Sequence, residues 1–146
     1  MLVRDIMTKD PTCCTPYTKL DVVAKMMLNH DCGAIPVWDG DQVVGVITDR
    51  DIVCRIVAKS MTPVAMAARD AMTKPAYTIG QDEKIEAAGV IMGKRQLRRL
   101  PVVDEKGAVV GIVSLCDLAA HLPDTDAADL FRHVSRKTGV ATNAAA

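Results

Sequence analysis

The sequence predicts a mixed α+β (α/β) fold made of two pseudo-symmetric units, each in the order strand, helix, strand, strand, helix. Internal repetition is the main observation behind this prediction. RDIMTK at 4–9 returns as RDAMTK at 69–74, AIPVWD at 34–39 as RLPVVD at 99–104, and GVITDRDIV at 45–53 as GIVSLCDLA at 111–119. The copies drift by one residue only in the turn DEKG, where a duplicated unit tolerates an insertion.

Each repeat begins with a short extended stretch, predicted at 12–15 and 76–79, and continues into a helix. Apolar residues with helical spacing predict these helices at 20–29 and 83–94. The apolar residues are Val22, Val23, Met26 and Met27 in the first helix and Ile85, Ala88, Ile91 and Met92 in the second. A β-hairpin follows, turning at Gly40-Asp41 in the first repeat and at a turn ending in Gly107 in the second.

A second helix is predicted to close each repeat, at about 48–58 and 114–121. We therefore place the first motif at 1–60, a helical connector at 61–71, the second motif at 72–123 and a C-terminal segment at 124–146. That segment should hold a helix at 126–140 with Leu130, Phe131 and Val134 on one side, followed by a frayed tail.

Composition narrows the possible partners. The 146 residues are 49% apolar, and 18 Lys plus Arg balance 18 Asp plus Glu, so no global charge attracts nucleic acid or an anionic membrane. Apolar runs are too short to span a membrane, and the N-terminus carries Arg4 and Asp5 where a signal peptide needs an apolar core, so we expect a cytoplasmic protein.

The cysteines and histidines give no pattern of a disulfide framework or metal site. The five cysteines are odd in number without a CxxC pair, and the three histidines share no ligand spacing, so no metal is expected and most cysteines should pack as small apolar residues. The sequence also lacks a nucleophile beside a recognisable base and a glycine-rich phosphate loop, so no enzyme is predicted and no catalytic cofactor.

A hydroxyl residue followed three positions later by aspartate recurs at the end of an apolar strand, as Thr48 to Asp51 and as Ser114 to Asp117. One interpretation is a capping box that satisfies backbone amides at the start of a helix. The other is a ligand site, in which the helix start attracts phosphate and the carboxylate accepts the hydroxyls of a ribose.

Together, the PVVD-type sequence before each hairpin and the GhhTxxD-type sequence after it resemble a cystathionine-β-synthase (CBS) motif. Two in tandem, over roughly residues 3–122, resemble a Bateman module. The resemblance implies two CBS motifs packed pseudo-symmetrically, with a cleft between them that commonly takes AMP, ADP, ATP or S-adenosylmethionine. The sequence is similar to those of the small stand-alone CBS-pair proteins of bacteria.

The resemblance also implies roles for individual residues. Asp51 and Asp117 correspond to the ribose aspartate, with Thr48 and Ser114 beside them. Arg98 and Arg99 correspond to a basic pair that contacts the phosphates of the ligand in nucleotide-binding relatives. The first repeat has Gly33 and Ala34 at these two positions, and only Arg50 could serve instead. The adenine would lie against the first strand of a motif and the residues at the hairpin proline, namely Thr12, Cys13, Cys14, Ile35 and Pro36, and Ala76, Tyr77, Thr78, Leu100 and Pro101.

These expectations describe a non-enzymatic sensor that binds an adenosyl ligand and signals to a protein target that the sequence does not identify. A homodimer is expected, because the apolar helix faces exceed what one three-stranded sheet covers. Two alternatives stay open at this point. One is a ligand-free interaction or scaffolding module whose Thr48 and Ser114 merely cap helices, and the other is a small enzyme related only in fold.

Overall fold

A computed structural model describes residues 1–136, which fall into two compact units. Among the described residues, the central unit is Thr12–Ala76, and the terminal unit joins Met1–Pro11 to residues 77–136. The opening RDIMTK-type segment of each repeat therefore belongs to the unit that carries the other repeat's hairpin. The domain boundaries predicted above followed the repeat in the sequence, whereas compactness groups residues 1–11 with the second repeat.

Each repeat contains the predicted long helix, hairpin and second helix, whereas the strand predicted at 76–79 covers only Ile79–Gly80. In chain order they are α1 (Val3–Ile6), β1 (Thr8–Lys9), α2 (Leu20–His30), β2 (Ala34–Trp38), β3 (Val43–Thr48), α3 (Asp49–Arg55), a 3-10 turn (Val57–Lys59), α4 (Ala68–Ala71), β4 (Ile79–Gly80), α5 (Ile85–Arg95), β5 (Arg99–Val103), β6 (Val109–Ser114), α6 (Leu115–Ala119) and α7 (Asp124–Ser135).

In the central unit, β2 and β3 form the predicted antiparallel hairpin. The extended stretch predicted at 12–15 is reduced to one parallel bridge between Cys14 and Val37. The apolar side chains of α2, the hairpin, α3 and α4 meet in one core, because each element buries a single face. This core contains Cys14, Leu20, Val23, Met27, Ile35, Val37, Ile47, Ile52, Ile56, Ala68, Ala71 and Met72.

In the terminal unit, the sheet has four strands in the order β1-β6-β5-β4. β1 pairs antiparallel with β6, and β4 pairs parallel with β5, so the unit is a mixed sheet. The core contains Val3, Ile79, Ile85, Ala88, Met92, Leu100, Val102, Val113, Leu115, Leu118, Leu130 and Val134.

Two short helices, α1 and α4, open the repeats in the same way. In α1 the amide of Leu2 donates to the carboxylate of Asp5 at 2.8 Å, and in α4 the amide of Ala67 donates to Asp70 at 2.8 Å. The aspartate of the repeated RDxM sequence thus caps a single turn. We did not predict α1, because four residues give no visible helical period.

Several predicted elements differ in extent from the structure. The helix predicted at 48–58 ends at Arg55 and continues only as the 3-10 turn, and the helical connector at 61–71 contains helix only in α4. Turn hydrogen bonds occupy part of the rest, with Ala65 donating to the carbonyl of Thr62. The predicted C-terminal helix begins two residues early, at Asp124, and its positions 137–140 lie outside the described residues, as does the tail.

Two residues on the predicted apolar faces are exposed. Val22 of α2 is 43% exposed and Phe131 of α7 is 52% exposed, although their neighbours Val23, Leu130 and Val134 are buried. A helix buries only the stripe that faces its partner, and a residue adjacent in sequence lies about 100° away from that stripe. Assigning Val22 and Phe131 to the buried faces was therefore wrong.

Candidate functional site

The two hydroxyl-x-x-aspartate motifs form capping boxes at the starts of α3 and α6. The amide of Thr48 donates to Oδ2 of Asp51 at 3.0 Å, and the amide of Asp51 donates to Oγ1 of Thr48 at 3.0 Å. The amide of Ser114 donates to Oδ2 of Asp117 at 2.8 Å, and the amide of Asp117 donates to Oγ of Ser114 at 3.2 Å. The capping interpretation is confirmed for both motifs, and a further role depends on what each aspartate has left to offer.

Asp51 is committed to other protein groups. It is 8% exposed, and the hydroxyl of Thr73 lies 3.2 Å from its Oδ1 and 3.3 Å from its Oδ2. Nε of Arg55 lies 3.7 Å from Oδ1, and Nη1 of Arg55 donates to the carbonyls of Ala71 at 3.3 Å and Met72 at 3.0 Å. Asp51 and Arg55 therefore hold the chain that follows α4. Neither Thr73 nor Arg55 was predicted as a site residue, although Thr73 belongs to the repeated RDAMTK segment.

Asp117 keeps more of its accepting capacity. Its Oδ2 accepts from the amide of Ser114 and from Oγ of Ser114 at 2.7 Å, and the residue is half-buried. Oδ1 accepts no hydrogen bond from any residue between 1 and 136. Thr8, which matches Thr73 in the repeat, forms no such bond to Asp117. A free carboxylate oxygen beside a hydroxyl is what the two adjacent hydroxyls of a ribose can use.

Arg98 and Arg99 lie next to the start of α6. The amide of Leu115 donates to the carbonyl of Arg98 at 2.8 Å, and Arg99 is directly opposite Ser114 in the hairpin register. Both arginines are exposed, and neither guanidinium has a hydrogen-bond or ion-pair partner in the part of the chain that the structure describes. Two uncompensated cations thus lie at the end of the hairpin that also presents Ser114.

The corresponding end of the first hairpin carries a different charge. The amide of Asp49 donates to the carbonyl of Gly33 at 3.1 Å, just as Leu115 donates to Arg98. Oδ2 of Asp49 lies 3.0 Å from where a Cβ on Gly33 would be. A carboxylate therefore occupies the space in which the second repeat begins the Arg98 side chain. Arg50 is exposed, as a phosphate contact requires, but it is a single cation. We did not anticipate Asp49, although the repeat has leucine at its matching position.

Four of the ten residues predicted to contact adenine lie on paired strands, and Cys14 forms an isolated bridge. The amide of Cys14 donates to the carbonyl of Pro36 at 3.1 Å, and the carbonyl of Cys14 accepts from the amide of Trp38 at 2.8 Å, so its backbone is already used. Thr12 and Cys13 precede it and are half-buried. Ile35 and Pro36 are buried, so they can form only the floor of a ligand site.

In the second repeat, Leu100 and Pro101 are buried in the same way. The half-buried residues Tyr77 and Thr78 precede β4, and Ala76 is the last residue of the central unit. The guanidinium of Arg95 lies 4.5 Å from the centre of the Tyr77 ring, a cation–π contact that fixes the ring. Arg95 therefore has a packing role that the sequence did not show.

The adjacent cysteines of the first repeat are poor nucleophiles. Burial raises the pKa of Cys13, and burial together with the neighbouring Cys13 raises the pKa of Cys14 to about 12. A thiol with a raised pKa stays protonated and unreactive at neutral pH. Packing is thus the role that the structure supports for Cys14, while Cys116 is exposed.

A groove of about 350 Å³ lies between α5 and α7 in the terminal unit, is lined mainly by apolar surface and includes neither capping aspartate in its lining. Among residues 1–136, no three His, Cys, Asp or Glu side chains are grouped so that they could hold a metal ion. The described helices include none that is long and apolar enough to cross a membrane.

The CBS domain family matches the chain twice, at residues 3–58 and 68–124, and the chain belongs to this family. Hypoxic response protein 1 of Mycobacterium tuberculosis is 36% identical over 122 residues, which cover 83% of this chain and 85% of that protein. The CBS domain-containing protein YhcV of Bacillus subtilis is 34% identical, with coverages of 86% and 89%. The chain spans 57% of an uncharacterized relative, MK0525 from Methanopyrus kandleri, which is 34% identical over 79% of this chain.

Solved structures show the same fold. A conserved CBS domain protein of Thermoplasma acidophilum, TA0289, superposes with a TM-score of 0.81 at 27% identity, covering 91% of this chain and 75% of that one. The CBS domain pair of protein MJ0100, in complex with 5′-methylthioadenosine and S-adenosyl-L-methionine, gives 0.73 at 29% identity, with coverages of 82% and 94%. Hypoxic Response Protein I, which holds two coordinated zinc ions, gives 0.75 at 35% identity, with coverages of 84% and 100%.

Proposed function

We propose that this chain is a non-enzymatic regulatory module that binds an adenosyl ligand, and that its second repeat holds a phosphorylated one, AMP, ADP or ATP, more firmly than its first. The observation that carries the proposal is the set of unused polar groups around Asp117. Among residues 1–136, a carboxylate oxygen that accepts no hydrogen bond and two guanidinium groups without a partner lie at the end of one hairpin.

The ribose would bind through Asp117. Its two hydroxyls donate to the free Oδ1, while Oδ2 goes on capping α6 through Ser114. Hydrogen bonds to a charged group are stronger than those between neutral groups, so this contact contributes substantially to affinity. Capping and ligand binding are therefore compatible roles for one aspartate.

The phosphate would bind to Arg98 and Arg99, because a guanidinium group can donate two parallel hydrogen bonds to two phosphate oxygens. In the first repeat, a ribose at Asp51 has to replace the hydroxyl of Thr73, and Arg50 is the cation left for a phosphate because Arg55 already pairs with Asp51. Competition with existing bonds lowers the net free energy of binding. Unequal affinities in the two repeats follow.

The adenosyl part of the ligand is supported by the MJ0100 domain pair, whose two bound compounds share an adenosyl group. The test is a thermal-shift panel with AMP, ADP, ATP, S-adenosylmethionine, 5′-methylthioadenosine and adenosine. A ligand at about 100 times its dissociation constant adds about 2.7 kcal/mol to the free energy of unfolding, which raises the melting temperature by roughly 5 to 10 °C. If no compound shifts the transition at millimolar concentration, the ligand-free scaffolding module becomes the better interpretation.

Signalling to a protein target is the second part of the proposal. A nucleotide sensor without catalytic groups acts only if binding changes what another protein contacts. Pull-down of partners from a lysate with and without the ligand identified by the panel checks this part. If the same proteins are captured with and without the ligand, the scaffolding module is favoured. A cofactor that stays bound to the purified protein would favour a small enzyme.

We also propose a homodimer that covers the outer face of α2. In the terminal unit, Gly89 and Gly93 of α5 pack under Leu130 of α7. The matching residues of α2 are Ala24 and Leu28, and Leu28 is 80% exposed. An exposed apolar helix face is stabilised when another subunit covers it. Light scattering should show a dimer that Leu28→Glu dissociates, and a monomeric parent protein would contradict the proposal.

A further inference from the structure

The first repeat places negative charge where the second places positive charge. In the second repeat, Arg98 and Arg99 accompany Asp117, which gives a local charge of +1. In the first, Arg55 is paired with Asp51, so the remaining charges are those of Asp49 and Arg50, and the charge beside Gly33 is the negative one of Asp49. Because Asp49 is exposed and contacts the backbone of Gly33, its charge faces the same end of the hairpin that carries Arg98 in the other repeat.

We infer that the first repeat accepts adenosyl compounds whose 5′ substituent carries no negative charge, and that Asp49 is the specificity-determining residue. This inference rests on the proposed function, because it takes the ribose to bind at Asp51. A 5′ substituent is separated from the ribose hydroxyls by the width of one sugar. A ribose bound at Asp51 with its 5′ carbon directed toward Gly33 brings this substituent beside Asp49, and within a Debye length of about 8 Å the charge of Asp49 acts on it with little screening.

The sign of the effect depends only on the ligand. A phosphate of about two negative charges is repelled by Asp49, a neutral thioether such as 5′-methylthioadenosine is indifferent to it, and the cationic sulfonium of S-adenosylmethionine is attracted. At separations of about 6 to 8 Å near a surface, Coulomb's law in water predicts a three- to tenfold effect on the affinity of a phosphorylated ligand. The adenosyl compounds therefore form a graded series of charge probes.

Asp49→Asn is the decisive variant, because asparagine keeps the shape and can still accept from the amide of Arg50, as Oδ1 of Asp49 does at 2.8 Å. The measurement is calorimetry in an Asp117→Asn background, which weakens the second repeat so that the first is observed. We expect Asp49→Asn to tighten AMP three- to tenfold, to leave 5′-methylthioadenosine unchanged and to weaken S-adenosylmethionine by a few-fold.

Glu105→Gln is the matched control. Glu105 is exposed in the turn of the other hairpin, so the variant removes one negative charge from outside the first repeat and should change none of the three affinities. A second variant, Asp49→Leu, introduces the residue that the second repeat has at this position and should tighten AMP at least as much. Melting curves of each variant show that the fold is kept.

The outcomes separate this inference from the proposed function. If the Asp49 variants change AMP and 5′-methylthioadenosine alike, or neither, Asp49 does not select by charge, although the module binds adenosyl ligands. If the Asp117→Asn protein binds none of the three compounds while the parent protein binds one, the first repeat is not a site and the inference is wrong. If the parent protein binds none of them, it is the proposed function that fails.

Discussion

The two repeats use one motif under different constraints, and the contrast is clearest at their aspartates. Asp51 caps α3, accepts from Thr73 and pairs with Arg55, whereas Asp117 caps α6 and leaves Oδ1 free. The side chains around them differ in the same sense, because Asp49 lies beside Gly33 where the second repeat has Arg98. Duplication thus preserved the backbone geometry, while substitutions made one copy more structural and the other more available to a ligand.

A second difference concerns what covers the helices. Leu130 and Val134 of α7 are buried in the terminal unit, and Gly89 and Gly93 of α5 leave room for Leu130. At the matching positions α2 has exposed residues, of which Leu28 is the largest. The added helix therefore stabilises one repeat within the chain.

The largest effect is expected where α7 meets α5. Leu130→Ala removes a side chain that is 7% exposed, so it should lower the free energy of unfolding by about 2 to 5 kcal/mol. Phe131→Ala is the control on the same helix, and because Phe131 is 52% exposed the loss should stay within about 0.5 kcal/mol. Urea melts of both variants provide the measurement, and equal losses would show that α7 does not bury the face described here.

The next effect separates the two aspartates. Asp51→Asn weakens the bonds to Thr73 and Arg55, so it should cost about 1 to 3 kcal/mol of stability, while Asp117→Asn should cost less and weaken nucleotide binding more. Melting curves and calorimetry on both variants test the contrast. Strong loss of binding in Asp51→Asn with normal stability would reverse the roles assigned to the two repeats.

A third prediction concerns the phosphate contacts. Replacing Arg98 and Arg99 together by alanine should reduce the affinity for AMP or ATP by about tenfold or more and leave adenosine almost unchanged, since only the nucleotides carry phosphate. The nucleotide affinity of the parent protein should also fall as salt is added, and less so in the double variant. Equal losses for adenosine and ATP would mean that the arginines shape the site without binding phosphate.

The smallest effect is a difference in thiol reactivity. The pKa of Cys14 is raised from 9.0 to about 12, so the unfolded chain loses this proton at a lower pH than the folded one. Its contribution to stability is present below pH 9 and declines as the pH rises toward 12. At pH 8, iodoacetamide followed by mass spectrometry should label exposed Cys116 and spare Cys14, and rapid labelling of Cys14 would contradict its burial.

Much of the fold was predictable because the same sequence pattern occurs in both repeats. The helices α2 and α5, both hairpins and both capping boxes follow from periodicity and turn chemistry, which are local properties. The candidate site was predictable only in outline. The repeated motif predicted Asp51 and Asp117 as site residues. The hydrogen bond between Thr73 and Asp51 was not predictable, because the two residues are 22 positions apart and no local pattern indicates it.

By itself, the sequence determined the family, the repeat, the elements that build each hairpin and the asymmetry between Gly33 and Arg98, since all of these depend on residues close together in the chain. The tertiary structure alone decided that residues 1–11 join the second repeat, that α7 covers α5 and that Asp51 is tied to Thr73. Which polar group remains free after folding depends on what distant segments bring to it. For that reason the availability of Asp117, unlike its identity, is a property of the folded chain.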